Sequence, residues 1–381
     1  MLRVNHRLHT HMFVSPFLGT HLRITRFFSL FHHTPHIQQL LPSATIMSLL
    51  PLFVANQPLH PIYYPPPITF ESRLDHLVQS GAFSDIVFSR HPRHGIKRML
   101  HRWNSATSDI ESILSPCSYY ELKAARRSRQ IGICDPDLVP SFTHIPSSID
   151  EEHHQLVDKN NIVLAYRFRY PTKFLHCLEE SQTLLPQQAS SASVRGTFAK
   201  RHYALWADYS PDIFESREYR RDFHHSTQWL ATNKPLFDYL SDNLRMINPE
   251  MYKKFTGIDR FLKGSLRRMA GAWHGVAINQ SMAVGNSVSK THIDWQDCVS
   301  GFNAVIPWGN FGGGNLILWP AKVVYQIEPG ECLFFRGGIM AHQVQPVTSG
   351  IRNSLDLFCH KSAFDWHKRQ LKASGIPDFA A

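Results

Sequence analysis

Between Thr291 and Cys359 short apolar runs alternate with glycine- and proline-bearing turns, and this rhythm constrains the fold more than any other feature of the chain. Phe302 to Trp308 is largely apolar, and Leu316 to Trp319 follows three consecutive glycines, Gly312, Gly313 and Gly314. Val323 to Ile327 precedes the turn Glu328-Pro329-Gly330-Glu331, and Cys332 to Phe335 is another apolar run. Ile351 to Cys359 alternates, with Ile351, Asn353, Leu355, Leu357 and Cys359 on one face. Short strands with Gly/Pro turns at roughly 8–12-residue spacing build a sandwich or a barrel. A double-stranded β-helix, the cupin-like jelly roll, belongs to that group.

Three residues of this stretch have the chemistry of a metal site. His292 and Asp294 stand two apart, so one strand end or the turn after it can point both inward. His342 lies beyond the small and apolar residues Gly338-Ile339-Met340-Ala341, on a strand that has to fold back beside the first. Two histidines and one carboxylate on one face of an octahedron hold Fe(II) and leave the other positions open. Arg352 follows His342 by ten positions, at the start of the next strand. A guanidinium pairs bidentately with a carboxylate. Ser354 faces the same way and offers a hydroxyl. A dicarboxylate bound to iron at one end needs such an anchor at the other, and 2-oxoglutarate is that dicarboxylate. Singly, each element has a plain reading: a chance His-x-Asp, a core histidine, a surface arginine. In this order and spacing they support an iron site.

His-x-Asp, a distal His and Arg-x-Ser resemble the 2-oxoglutarate/Fe(II)-dependent dioxygenase superfamily. Asn303-Ala-Val-Ile-Pro-Trp-Gly-Asn-Phe-Gly-Gly-Gly-Asn-Leu316, then Pro329-Gly-Glu-Cys-Leu-Phe-Phe-Arg336, then His342-Gln-Val-Gln-Pro-Val347 resemble the TET/JBP-like oxygenase domain, particularly its divergent fungal members. The match runs from Ala272 to Lys361, about a quarter of the chain. The resemblance implies an α+β fold, a double-stranded β-helix core buttressed by helices. It implies Fe(II) on His292, Asp294 and His342, with no catalytic residue beyond these ligands. It implies 2-oxoglutarate held by Arg352 and Ser354, O2 as cosubstrate and ascorbate as reductant. An Asn at the place of Asn279 faces the active site in the resembling domains; here it is either a cosubstrate contact or a structural hydrogen bond. Asp297 either orients a metal ligand or caps a turn. The implied reaction is hydroxylation of a C–H or methyl group, with 5-methylcytosine or thymine in nucleic acid as candidate substrates. A protein or small-molecule hydroxylase, a cupin-type enzyme without 2-oxoglutarate, and a non-catalytic jelly-roll binding module are the alternatives.

Three stretches are expected. Residues 1–70 carry Arg3, Arg7, Arg23 and Arg26 and no acid before Glu71. Their apolar part, Phe13 to Phe31, is interrupted by Arg23 and Arg26 and is not a membrane span. This end reads either as a mitochondrial presequence or as sequence upstream of a true start at Met47. Residues 71–232 form a basic region of mixed α/β elements. These include a helix around Leu74, Leu77 and Val78, a strand over Asp85 to Phe88, an alternating strand over Ile162 to Tyr170 that extends the catalytic sheet, and a loop over Gln187 to Ser193. Residues 233–381 hold the helical buttress and the core. A helix starts at Asn233 before Pro235 and a second spans Pro249 to Leu262; the first core strand runs over Trp273 to Gln280, and Ser362 to Leu371 is a closing helix. Whether 71–232 is a separate domain or an extension of the barrel is open at this level, as is the oligomeric state.

The formal charge of +10 and the pI of about 9.4 favour a polyanionic partner. Two basic clusters carry much of it: Arg90, Arg93, Lys97, Arg98 and Arg102 beside Trp103, and Lys123, Arg126, Arg127 and Arg129. Lys263, Arg267 and Arg268, just before the core, are placed to line the substrate entrance. Such clusters bind nucleic-acid backbone, or simply form solvated helix faces. The cysteines Cys117, Cys134, Cys177, Cys298, Cys332 and Cys359 show neither CxxC nor zinc spacing. They read as reduced thiols of an intracellular protein, nuclear or cytoplasmic, or mitochondrial if the N-terminus is a presequence.

Overall fold

Apolar residues at helical spacing bring the described chain in on two helices, α1 (Phe70–Ser80) and α2 (Pro92–Ala106). The structure is a computed structural model describing residues 69–88, 91–107, 110–130, 132, 134–147, 153–187, 191–193, 196–281 and 289–377. The arginine-rich N-terminus, Met47 and Arg90 lie outside the described residues. Thr69 caps α1, its hydroxyl accepting from Ser72 N at 3.1 Å, and Gly81 ends it in the left-handed region at φ 64°. After these come β1 (Glu111–Leu114), α3 (Tyr119–Arg127), β2 (Thr143–Ile145), β3 (His153–Val157), β4 (Val163–Arg169) and α4 (Thr172–Glu180). Then follow β5 (Ser191–Ser193), β6 (Gly196–Trp206), β7 (Phe214–Glu215), α5 (Arg217–Arg221), α6 (Phe223–Ile247) and α7 (Pro249–Thr256). The last third runs β8 (Gly275–Gln280), β9 (Asn303–Trp308), β10 (Phe311–Gly313), β11 (Leu316–Leu318), β12 (Val323–Tyr325) and β13 (Glu331–Phe335). It closes with β14 (His342–Val344), β15 (Val347–Gly350), β16 (Asn353–Phe358) and α8 (Lys361–Ala373).

The main sheet has the order β1-β3-β4-β13-β9-β16-β8-β6-β5, with β7 beside β6; a second sheet has the order β14-β11-β12-β2. From β9 onward the chain alternates between the two: β9 in the main sheet, β11 and β12 in the second, β13 back in the main one, β14 in the second, β16 again in the main. That winding is a double-stranded β-helix, and with its helices the fold is α+β. A short antiparallel pair, β10 with β15, extends one end.

Alternation along the strands gives the main sheet two apolar faces. Inside, Leu333, Phe335 and Val305 pack against Leu316, Leu318 and Tyr325 of the second sheet. Outside, Phe334 meets Trp273 at 5.3 Å and Phe168 at 5.0 Å between ring centroids, beneath a layer that includes Trp229, Phe237 and Phe255. The helices therefore buttress the outer face and leave the inner face for the site.

Residues 71–232 and 233–381 share this sheet. β4 pairs antiparallel with β13 over Ala165 to Arg169, and β6 pairs with β8 over Ala199 to Ala204. The strand expected over Ile162 to Tyr170 thus extends the main sheet through β13.

Three local expectations are corrected. Asp85 to Phe88 forms no strand: Asp85 lies in a turn, its carboxylate accepting from Arg245 at 2.8 Å and Tyr252 Oη at 3.1 Å. Asn233 does not start a helix, because α6 passes through Pro235. The proline leaves one carbonyl of the preceding turn without its helical donor. Buried Asn233 instead ties the helix down, donating to Trp229 O and Ser181 Oγ, both at 2.9 Å. Part of the loop expected over Gln187 to Ser193 is β5, paired with β6.

Among the described residues no helix is long and apolar enough to cross a membrane. All six cysteines are free thiols.

Two buried histidines make the fold acid-sensitive. His154 and His274 are 0% exposed, and burial pushes both down to about pKa 3. Folded, they stay neutral where the unfolded chain, with imidazoles near pKa 6.5, takes up protons. Their stabilisation is complete above pH 6.5 and falls as pH drops towards the folded values. The expected result is an unfolding free energy that declines by about 1.4 kcal/mol per pH unit for each histidine below roughly pH 6. Urea melts from pH 7 to pH 4 check this, and His154→Gln should flatten the slope.

Candidate active site

His292 and His342 are brought together by backbone pairing. His292 N donates to His342 O at 3.0 Å, and His342 N donates to His292 O at 2.9 Å. His342 opens β14, opposite Leu318 of β11. Asp294, two residues after His292, is fixed by its N–H donating to Gly337 O at 3.0 Å. The period-two spacing therefore puts the three side chains on one side.

Their donor atoms all lie within 4.8 Å of one another. Asp294 carboxylate oxygens stand 3.6 Å from His342 Nε2 and 3.8 Å from His292 Nε2. Three donors about 2.1 Å from one ion on an octahedral face stand roughly 3 Å apart, so a small contraction closes this set on a metal. The tautomers suit ligation. His292 Nδ1 is 2.7 Å from Lys290 O, and His342 Nδ1 is 2.9 Å from Met340 O. A carbonyl only accepts, so each Nδ1 carries a hydrogen and Nε2 is the atom each ring has for a metal. Two imidazole nitrogens and one carboxylate fit Fe(II).

A support for the carboxylate went unnoticed in the sequence. Asn303 Nδ2 donates to Asp294 Oδ2 at 3.2 Å and to Asp297 Oδ2 at 2.6 Å. Asp297 also closes the turn, its N–H donating to Asp294 O at 3.0 Å. The Asp297 carboxylate meets Asp294 only through Asn303, and the turn bond comes from its backbone rather than from a side-chain cap. Gly337 is needed beside them, since a Cβ there would fall 2.8 Å from Asp294 Oδ2. Asn303→Ala is expected to weaken metal affinity by about 10–100-fold, the usual effect of losing an outer-sphere partner. Metal titration of the two proteins tests it.

Arg352 lies just before β16 and is buried, as is Ser354. The glycine run packs on the arginine: Gly314 sits at φ 69°, and a Cβ on it would fall 2.7 Å from Arg352 Cδ. The Phe311 ring centroid is 5.6 Å from the guanidinium carbon. Burial lowers the Arg352 pKa to about 10 while Asp356 opposes the shift, so the group stays cationic at neutral pH. Asn279 Nδ2 donates to Ser354 Oγ at 3.3 Å and to Asp356 Oδ2 at 2.5 Å. Asn279 therefore has the structural hydrogen bonds, and its side chain also faces the cavity.

One cavity of about 470 Å³ joins these parts; the three metal-site residues, Arg352, Ser354 and Asn279 all line it. Its far wall, unforeseen from the sequence, is aromatic. Trp206 lies 5.7 Å from His360 and 6.5 Å from His202, and His202 lies 6.3 Å from Phe358. His360 Nε2 is 3.4 Å from Asp208 and its Nδ1 is 2.7 Å from Ser362 Oγ. For Phe358 alone a signal lay in the sequence: with Ser354 and Asp356 it forms the alternate set of β16 to the apolar face.

The basic clusters differ in their surroundings. Arg93 pairs with Asp75 at 2.5 Å and Glu71 at 3.3 Å, and Lys97 with Glu71 at 3.5 Å. Arg268 pairs with Asp259 at 2.8 Å, away from any role in lining the cavity. Arg126 reaches the metal-site loop and donates to Trp295 O.

No protein-family model and no curated protein matches the chain. Among solved structures it is similar to NgTET1 in complex with 5mC DNA, at 19% identity and TM-score 0.43, with 68% of this chain and 99% of that chain covered. It is also similar to an oxidoreductase of the 2OG-Fe(II) oxygenase family from Burkholderia pseudomallei, at 13% identity and TM-score 0.32, covering 65% and 93%. A Pseudomonas putida prolyl-4-hydroxylase is similar at 13% identity and TM-score 0.31, covering 52% and 92%. The strand order, seen directly, is that of a double-stranded β-helix with a His-Asp-His cluster in its cavity.

Proposed function

We propose that this chain is an Fe(II)/2-oxoglutarate-dependent dioxygenase that hydroxylates a methyl group on a nucleobase, 5-methylcytosine or thymine. The observation that carries the proposal is the shared cavity: a two-histidine, one-carboxylate cluster and a buried arginine open into the same space. Bound Fe(II) supplies oxygen activation coupled to decarboxylation of 2-oxoglutarate to succinate and CO2.

The chain's own residues do the rest. His292, Asp294 and His342 would hold the metal at the cavity wall. Arg352 takes the distal carboxylate of 2-oxoglutarate in a charge-assisted pair, strengthened by burial, with the Ser354 hydroxyl beside it. The surrounding apolar side chains Val305, Leu316 and Phe335 keep water from the metal face. Trp206, His202 and Phe358 offer flat faces on which a planar base stacks, while Asp297, Asp356 and His360 offer hydrogen-bonding edges. A base reaches such a recess only when turned out of a duplex or presented on a single strand. The basic charge and the sequence resemblance to TET/JBP-like domains support this substrate over a protein or a small molecule.

The test is incubation with Fe(II), 2-oxoglutarate and DNA containing 5-methylcytosine, single- and double-stranded, followed by mass spectrometry of the nucleosides. Loss of 5-methylcytosine with gain of one oxygen is expected. Succinate released equally with and without DNA, and no oxidised base, would move the substrate elsewhere.

A further inference from the structure

We infer that the basic C-terminal turn of α3, together with Trp295, forms the docking edge for a nucleic-acid strand whose base enters the cavity. The inference deepens the base-oxidation proposal and rests on it.

Two surfaces compete for such a role, and their places in the fold separate them. On α2, Arg93 and Lys97 are engaged by Asp75 and Glu71, while Arg98 and Arg102 are exposed with no carboxylate within ion-pair distance among the described residues. On α3 the acid is turned away: Glu121 accepts from Ser118 N within the helix cap, and its ion pair is with Lys159 at 3.5 Å. Among the described residues no carboxylate lies within ion-pair distance of Lys123, Arg127 or Arg129, and Arg127 and Arg129 are exposed.

The position of α3 matters more than its charge. Arg126 donates to Trp295 O and sits over the Trp295 ring, 5.7 Å from its centroid. Trp295 directly follows the ligand Asp294, and the next two residues, Gln296 and Asp297, line the cavity. Yet Trp295 is 40% exposed, and Tyr120 on α3 is 63% exposed. Both lie beside the cations of α3, Tyr120 on the helix itself and Trp295 under Arg126. Cations take phosphates, and exposed rings take unpaired bases by stacking. Arg126 ties the turn to the metal-site loop, so a strand held on α3 is held in register with the metal.

The experiment is fluorescence anisotropy of a short fluorescein-labelled single-stranded DNA containing 5-methylcytosine, bound to the full chain over a salt series. In the variant Lys123→Gln, Arg127→Gln, Arg129→Asn the slope of log K against log salt should fall by about 2, from roughly 0.7 per lost phosphate contact. Asn is chosen at 129 because that residue sits at φ 56°. Trp295→Ala should weaken binding by about 5- to 150-fold, and Trp295→Phe should recover most of it. The matching change on α2, Lys97→Gln, Arg98→Gln, Arg102→Gln, should leave the slope unchanged. An α3 variant with wild-type slope, an α2 variant with the reduced one, or no effect of Trp295→Ala would each overturn the inference. Succinate release without DNA, measured on the same variants, keeps the two proposals apart. Normal release with unaltered DNA binding rejects this surface alone; no release from the wild type with or without methylated DNA rejects the oxygenase proposal.

Discussion

Replacing Asp294 with alanine is expected to stop succinate formation, by more than the roughly 100-fold that marks loss of a merely supporting group. The carboxylate is the only anionic member of the cluster, and both histidine Nε2 atoms face it, at 3.6 and 3.8 Å. Without it, two neutral imidazoles remain, a weak set for a hard divalent ion. The fold should survive, because Asp294 is held mainly through its backbone N–H to Gly337 O, which alanine keeps. Fe(II) content after gel filtration and succinate yield should fall together. Full turnover by the Asp294→Ala protein would remove the cluster from the chemistry.

The second large effect belongs to Arg352. Arg352→Ala removes both arms of a bidentate, charge-assisted pair. Hydrogen bonds to charged groups are each worth about 1.5–3 kcal/mol. A loss of about 3 kcal/mol corresponds to roughly 150-fold weaker 2-oxoglutarate binding. Fe(II) binding should be unchanged, since the cluster is elsewhere in the cavity. Arg352→Lys should recover only part of the loss, because an ammonium cannot form the planar fork. Unchanged 2-oxoglutarate affinity in Arg352→Ala would favour a cupin-type enzyme that uses the metal without this cosubstrate.

The core was legible because its strands obey period two and its turns are marked by Gly and Pro. His292, Asp294, His342, Arg352 and Ser354 could be placed from alternation and order alone. What could not be read were contacts made across sequence. Asn303 lies in an apolar run, and its value comes from standing beside Asp294 and Asp297. Trp206 and His202 reach the site only because β6 pairs with β8, a join that no local pattern announces. Pro235 misled for the opposite reason. Its penalty is local, whereas the packing of Leu236, Phe237 and Leu240 against the sheet's outer face is tertiary, and the packing prevails. The glycine run took on a meaning it lacked in the sequence, since Gly314 makes room for the stem of Arg352.

The most direct test of the oxygenase chemistry is succinate production from 2-oxoglutarate under air, with Fe(II) and ascorbate supplied and metal content measured in the same sample. One Fe(II) per chain, with succinate formed only when iron and 2-oxoglutarate are both present, is the expected result. Iron bound at full occupancy with no succinate, in the presence and absence of methylated DNA, would contradict it and leave a jelly roll that binds without turning over.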